Sequence, residues 1–165
     1  MLDLTNMIIT EQDKTFMRVA IRLADESVRH GGGPFGAVIV KDGEIVSGSS
    51  NSVTIDNDPT AHAEVNTIRQ ACKKLGTFDL SDCVIYTSCE PCPMCLGAIY
   101  WAHIKRIYYG NTKKDAADID FADDFIYKEL DQPLEHRSVP FIPLLRDEAI
   151  ETFRAWAAKE DKVEY

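Results

Sequence analysis

Apolar residues recur at intervals of three and four along Phe16, Val19, Ala20, Leu23 and Val28. That period predicts an amphipathic helix with one buried stripe. Thr10, with Asp13 three positions on, has the spacing of a capping box at its start, and Gly31-Gly32-Gly33 ends it. The pattern then shortens. Residues 35–40 and 44–48 are brief apolar runs separated by Asp42-Gly43, a hairpin signal because glycine accepts the positive φ of a tight turn. After a polar stretch, Asp58 as cap and Pro59 as first residue predict a second helix. Its stripe is Val65, Ile68, Cys72 and Leu75, and Gly76 stops it.

Residues 82–88 read as a strand, 91–102 as a third helix opened by Pro91, and 104–110 as another strand. Beyond Gly110 the signals weaken, with helical turns over 113–118 and 123–129. A last strand is expected over 139–145, irregular because of Pro140 and Pro143. A final helix over 147–159 turns Ile150, Phe153, Trp156 and Ala157 inward. Strands alternating with helices indicate an α/β fold, a sheet with helices packed on its faces. At 165 residues the chain is expected to be one domain, 1–165.

Charge and cysteine content narrow the partners. A net charge of −9, with Lys73-Lys74 and Lys113-Lys114 as the longest basic runs, leaves no phosphate track and so no expected nucleic-acid partner. No apolar run nears ~18 residues, so no membrane partner is expected either. Residues 1–10 lack the basic and apolar regions of a secretory signal. Five cysteines, an odd number, then point to reduced thiols in a cytoplasm and to metal or catalytic use.

Pro59-Thr60-Ala61-His62-Ala63-Glu64 and Ser88-Cys89-Glu90-Pro91-Cys92-Pro93-Met94-Cys95 carry that chemistry. Cys92 and Cys95, three apart at a helix start, share one face, where exposed N–H groups and the helix dipole favour thiolates. With His62 they make the Cys₂His donor set of a zinc site with one position open. His62 and Glu64 pose a geometric difficulty: two positions along a helix is about 200° around it, so both reach one centre only if the helix points end-on. Glu64 then lies beside the metal as a general acid/base, with attack by zinc hydroxide the expected chemistry.

The bland alternative is a structural zinc knot with Cys89 as fourth ligand. Glu64, and Pro91 opening a helix, weigh against it. Cys72 and Cys83 fall on apolar stripes and read as core, and His30, His103 and His136 as solvated or locally bonded. Trp101 is balanced between core and pocket wall, and Trp156 reads as core.

H-x-E with P-C-x-x-C resembles the signature of the zinc-dependent base deaminases. The element order is similar to the cytidine deaminase-like fold, which implies three α/β/α layers around a central mixed sheet of five strands. Gly33-Pro34-Phe35-Gly36-Ala37-Val38, Asn57-Asp58-Pro59-Thr60-Ala61-His62-Ala63-Glu64-Val65, residues 87–102, Phe121-Ala122-Asp123-Asp124-Phe125 and the ending Lys162-Val163-Glu164-Tyr165 resemble the guanine-deaminating branch of that family. The resemblance implies hydrolysis of a purine base, guanine to xanthine and ammonia. The other branches, acting on cytosine, nucleosides or tRNA adenosine, are the alternatives.

By the same resemblance His62, Cys92 and Cys95 hold one Zn2+ per subunit with a water or hydroxide, and Glu64 carries protons. Asp123 is the second carboxylate, helping the amine leave. The family commonly has an acid where Ala122 stands, so Asp124 remains a competing assignment. Asn51 and the Ala63 backbone bind the base edge, Phe35 and Trp101 wall the pocket, and Tyr165 closes it. A homodimer exchanging a C-terminal helix and tail, about 146–165, is also implied.

Overall fold

The computed structural model describes residues 8–165 and divides into two compact units, the first ending at Asp123 and the second running from Asp124 to Tyr165. In the first, α1 (Glu11–Arg29) begins at the expected capping box: the Thr10 hydroxyl accepts from the Asp13 N–H, and Asp13 accepts from the Thr10 N–H. A hairpin follows, β1 (Gly36–Lys41) and β2 (Glu44–Ser50), turning through Asp42 at φ 51° and Gly43 at φ 77°. Then come α2 (Val53–Asp56), α3 (Ala63–Leu75), β3 (Cys83–Cys89), α4 (Pro93–Trp101), β4 (Ile107–Asn111) and α5 (Lys113–Ala117).

The strands form a mixed sheet in the order β2-β1-β3-β4. β1 runs antiparallel to both β2 and β3, and the α4 crossover makes β3 and β4 parallel. Side chains alternate across the sheet, as the two-residue period of a strand requires. Val38, Val40 and Tyr86 pack under Phe16 and Ala20 of α1. Ala37, Ile39 and Ile85 face the other way, against Ala63 and Ala71 of α3 and Ile99 of α4. Helix α1 lies so close to β1 that a Cβ on Gly36 would come within 2.3 Å of the Ala20 carbonyl and 2.6 Å of the Ala24 nitrogen. Three layers result, as expected for the α/β/α class.

The sheet departs from the expected five strands: among the described residues it has four. Residues 139–145 form no strand; Pro140 and Pro143 remove two ladder donors, and every residue there is exposed. Two helix starts also move. Asp58 does not cap a helix. Its carboxylate accepts from the Thr60 N–H and hydroxyl at 2.8 and 2.7 Å, closing a local turn, and α3 waits until Ala63. The third long helix begins at Pro93, not Pro91, with Cys92 as its N-cap. The short α2 lay unseen in the polar stretch.

The second unit contains α6 (Asp124–Leu130), a 3₁₀ turn (Leu134–His136) and α7 (Arg146–Ala157). No residue of α7 is fully buried: of the expected inward stripe, Ile150 is half-buried, and Phe153, Trp156 and Ala157 are exposed. Among the described residues no helix is long and apolar enough to cross a membrane.

Candidate active site

Two helix starts and one strand end build the site. His62 is the N-cap of α3, at φ −71° and ψ 154°, and Cys92 is the N-cap of α4, at φ −67° and ψ 169°. Neither side chain caps its own helix. Instead His62 Nδ1 lies 3.5 Å from the Sγ of both Cys92 and Cys95. The difficulty of His62 and Glu64 sharing a helix face disappears, because extended His62 stands outside the helix that carries Glu64.

The three donor atoms lie within 4.8 Å of one another. A tetrahedral zinc with bonds of ~2.0–2.3 Å places neighbouring nitrogen and sulfur donors about 3.5 Å apart, so the set fits that ion. Its electrostatics suit a cation as well. The Cys95 thiol donating to Cys92, with His62 beside it, lowers the Cys92 thiol to about 4, against the pull of burial. Cys95 is pushed up, because Cys92 holds its proton and the site is buried. Hydrogen bonding to Cys92 raises the His62 imidazole despite burial. Metal binding therefore displaces protons from a set already part-way to its ligand form.

Glu64 is only 7% exposed and its pKa is raised, chiefly by burial. Its Oε2 lies 3.3 Å from Cys95 Sγ, and its Oε1 accepts from the Thr87 hydroxyl at 3.1 Å. Thr87 was missed in the sequence. The signal was available: it shares a sheet face with Ile85, which puts a hydroxyl where an aliphatic side chain is expected.

Asn51 is 6% exposed, and its Oδ1 accepts from the N–H groups of Gly33 and Val53 at 3.4 and 3.2 Å. That leaves its amide NH₂ as the end able to donate to a ligand. Ala63, buried, is the first residue of α3, where backbone N–H groups have no helical acceptor. Phe35 packs edge-on against Phe121 at 5.1 Å. Asp123 is half-buried; burial and then the Cys92 charge push its carboxyl up, while Lys113 opposes them. Asp124 instead pairs with Lys128 along α6. Cys89 is buried beside Thr112 O at 3.7 Å and is not one of the three clustered donors. Trp101 is the last residue of α4, 66% exposed, and Tyr165 is 74% exposed in the second unit. The fold thus gathers His62, Glu64, Cys92 and Cys95 directly, and links Asp123 to them through the charge of Cys92.

Residues 10–111 match the family model of the cytidine and deoxycytidylate deaminase zinc-binding region. The chain belongs to this family of zinc-binding deaminases. A guanine deaminase of Bacillus subtilis is 56% identical over 153 residues, covering 92% of this chain and 98% of the relative. The crystal structure of guanine deaminase from Bacillus subtilis superposes with a TM-score of 0.89, at the same identity and coverage. The guanine deaminase structure from Nitrosomonas europaea has a TM-score of 0.65 and 27% identity, covering 93% of this chain and 88% of its own. A tRNA-specific adenosine deaminase of Aquifex aeolicus is 39% identical over 74% of this chain and 79% of its own length.

Proposed function

We propose that this chain hydrolyses guanine to xanthine and ammonia at a zinc held by His62, Cys92 and Cys95. The observation that carries the reading is the likeness to the Bacillus subtilis guanine deaminase, 56% identical across 92% of this chain. When bound, zinc supplies a Lewis acid that lowers the pKa of water at its open position. Glu64 takes one proton from the attacking water and gives it to the ring nitrogen, then carries the second, from the added hydroxyl, to the amine as the carbon–nitrogen bond breaks and ammonia leaves. Burial, which raises its pKa, favours that two-way traffic. Asp123 receives the amine as it leaves, which its half-burial near the Cys92 charge supports better than the exposed, Lys128-paired Asp124.

The Asn51 amide and the Ala63 N–H bind the base edge. Phe35, Trp101 and Tyr165 supply apolar and aromatic walls. Tyr165 comes from a second copy, in a homodimer of one-domain chains that exchange their C-terminal helix and tail. Support comes from exposed Phe153, Trp156, Val163 and Tyr165 in that segment, apolar surface of the kind that association covers. All five cysteines are free, which suits the reducing cytoplasm.

The test offers zinc-loaded protein guanine, guanosine, cytosine, cytidine, adenine and tRNA, and measures ammonia. Guanine alone should release it at a high rate. Ammonia from cytosine or tRNA adenosine with none from guanine overturns the reading.

A further inference from the structure

Glu64 carries its carboxylate on three rotatable bonds, yet proton transfer requires one oxygen held toward the reacting atoms. Thr87 stands in the middle of β3, paired with Ala37 of β1 on one side and Tyr109 of β4 on the other. Its backbone is fixed by two ladders, and its β-branched side chain has few χ1 choices. The side chain is buried, and its hydroxyl lies 3.1 Å from Glu64 Oε1 and 3.0 Å from the Cys89 carbonyl. The other carboxylate oxygen, Oε2, lies 3.3 Å from Cys95 Sγ, on the side of the clustered donors.

We propose that Thr87 is a positioning residue that pins Glu64 by Oε1 and so keeps Oε2 turned toward the His62, Cys92 and Cys95 set. The inference deepens the deaminase reading and rests on it. A zinc-bound Cys95 is a thiolate and has no proton to give Oε2. Among the described residues, the hydroxyl is then the side-chain donor left on this carboxylate. It also ties the first turn of α3 to the strand that leads into Cys92, so the proton carrier and the metal donors keep one frame.

The test compares wild type, T87V and T87S, each zinc-loaded. T87V keeps the volume and branching but loses the hydroxyl. It should hold the same zinc per chain and the same KM for guanine within about threefold, while kcat falls ~10–100-fold, the scale of a misplaced catalytic group. T87S should recover most of kcat. In crystals of zinc-loaded T87V the Glu64 carboxylate should be turned from its wild-type orientation. Should T87V fail to fold, T87A carries the same expectations. Undiminished kcat in a zinc-replete T87V or T87A overturns the inference, and so does an unmoved Glu64 carboxylate. If wild type fails on guanine, it is the functional reading that falls, and the crystal comparison still decides the role of Thr87.

Discussion

His62 and Cys92 occupy the same position in two different helices. Each is an N-cap in extended conformation, each withholds its side chain from its own helix, and His62 Nδ1 meets Cys92 Sγ at 3.5 Å. Helix starts usually use Ser, Thr, Asp or Asn there to satisfy orphan N–H groups. Here that position holds metal donors.

Chelation should therefore remove activity and stability together. A metal that binds only the folded state at 100 times its Kd contributes about 2.7 kcal/mol. Stripping zinc should lower Tm by several degrees, and His62→Ala should leave zinc content far below one per chain by elemental analysis. Wild-type zinc occupancy in His62→Ala would exclude it from the donor set.

Glu64→Gln separates proton transfer from metal binding. Zinc content should persist while kcat falls by a factor on the order of 10²–10⁴, the range for a lost general acid/base. A Glu64→Gln protein with zinc and full turnover would return the site to a structural role.

Asp123 and Asp124 make a paired comparison. Asp123→Asn should cut kcat at least ~10²-fold, in the range of a lost acid/base group, and Asp124→Asn should change it little, because that carboxylate serves Lys128. The reverse outcome would move the second carboxylate one position along the chain.

Asp13 predicts a pH dependence of folding. Burial raises its pKa, but hydrogen bonds from Thr10 and Tyr86 outweigh it and the net shift is downward. A carboxyl lowered in the folded state stabilises it above the ordinary value, and that contribution is lost as pH falls through the lower folded value. The share of stability that Asp13 supplies should be intact above about pH 4 and fade below it. Asp13→Asn should show a shallower acid limb and a neutral-pH Tm lower by ~2–4 °C for each kcal/mol lost. Parallel acid limbs by circular dichroism would show that Asp13 does not contribute.

Gly36→Ala places a methyl against the backbone of α1 at Ala20 and Ala24, neither of which can swing away. Overpacking of this kind costs ~1–3 kcal/mol. Thermal denaturation should show a Tm drop of several degrees, and an unchanged Tm would mean that α1 shifts freely on the sheet.

Much of the core of this fold was legible because period and punctuation agree locally. The capping box at Thr10 and Asp13, the Asp42-Gly43 turn and, apart from the short α2, the existence of the strands and helices from residue 11 to residue 111 follow from neighbours in sequence. The helix starts were misplaced where two signals competed. Asp58 can cap a helix or close a turn on Thr60, and its short reach to the Thr60 N–H and hydroxyl decides for the turn. The expected fifth strand failed because apolar residues with Pro140 and Pro143 have a strand's composition without its donors. The inward stripe of α7 failed because periodicity reports an apolar face and not what covers it.

By itself the sequence determined the donor types, His62, Cys92 and Cys95, and the spare carboxylate, Glu64, since metal chemistry constrains residue identity and spacing before any fold exists. The tertiary structure decided where the atoms lie. It took His62 out of its helix, brought one imidazole nitrogen within reach of two sulfurs some thirty positions away, and set the Thr87 hydroxyl on Glu64. Those relations join a strand to two helix starts, and packing across a sheet, not neighbourhood along the chain, brings them together.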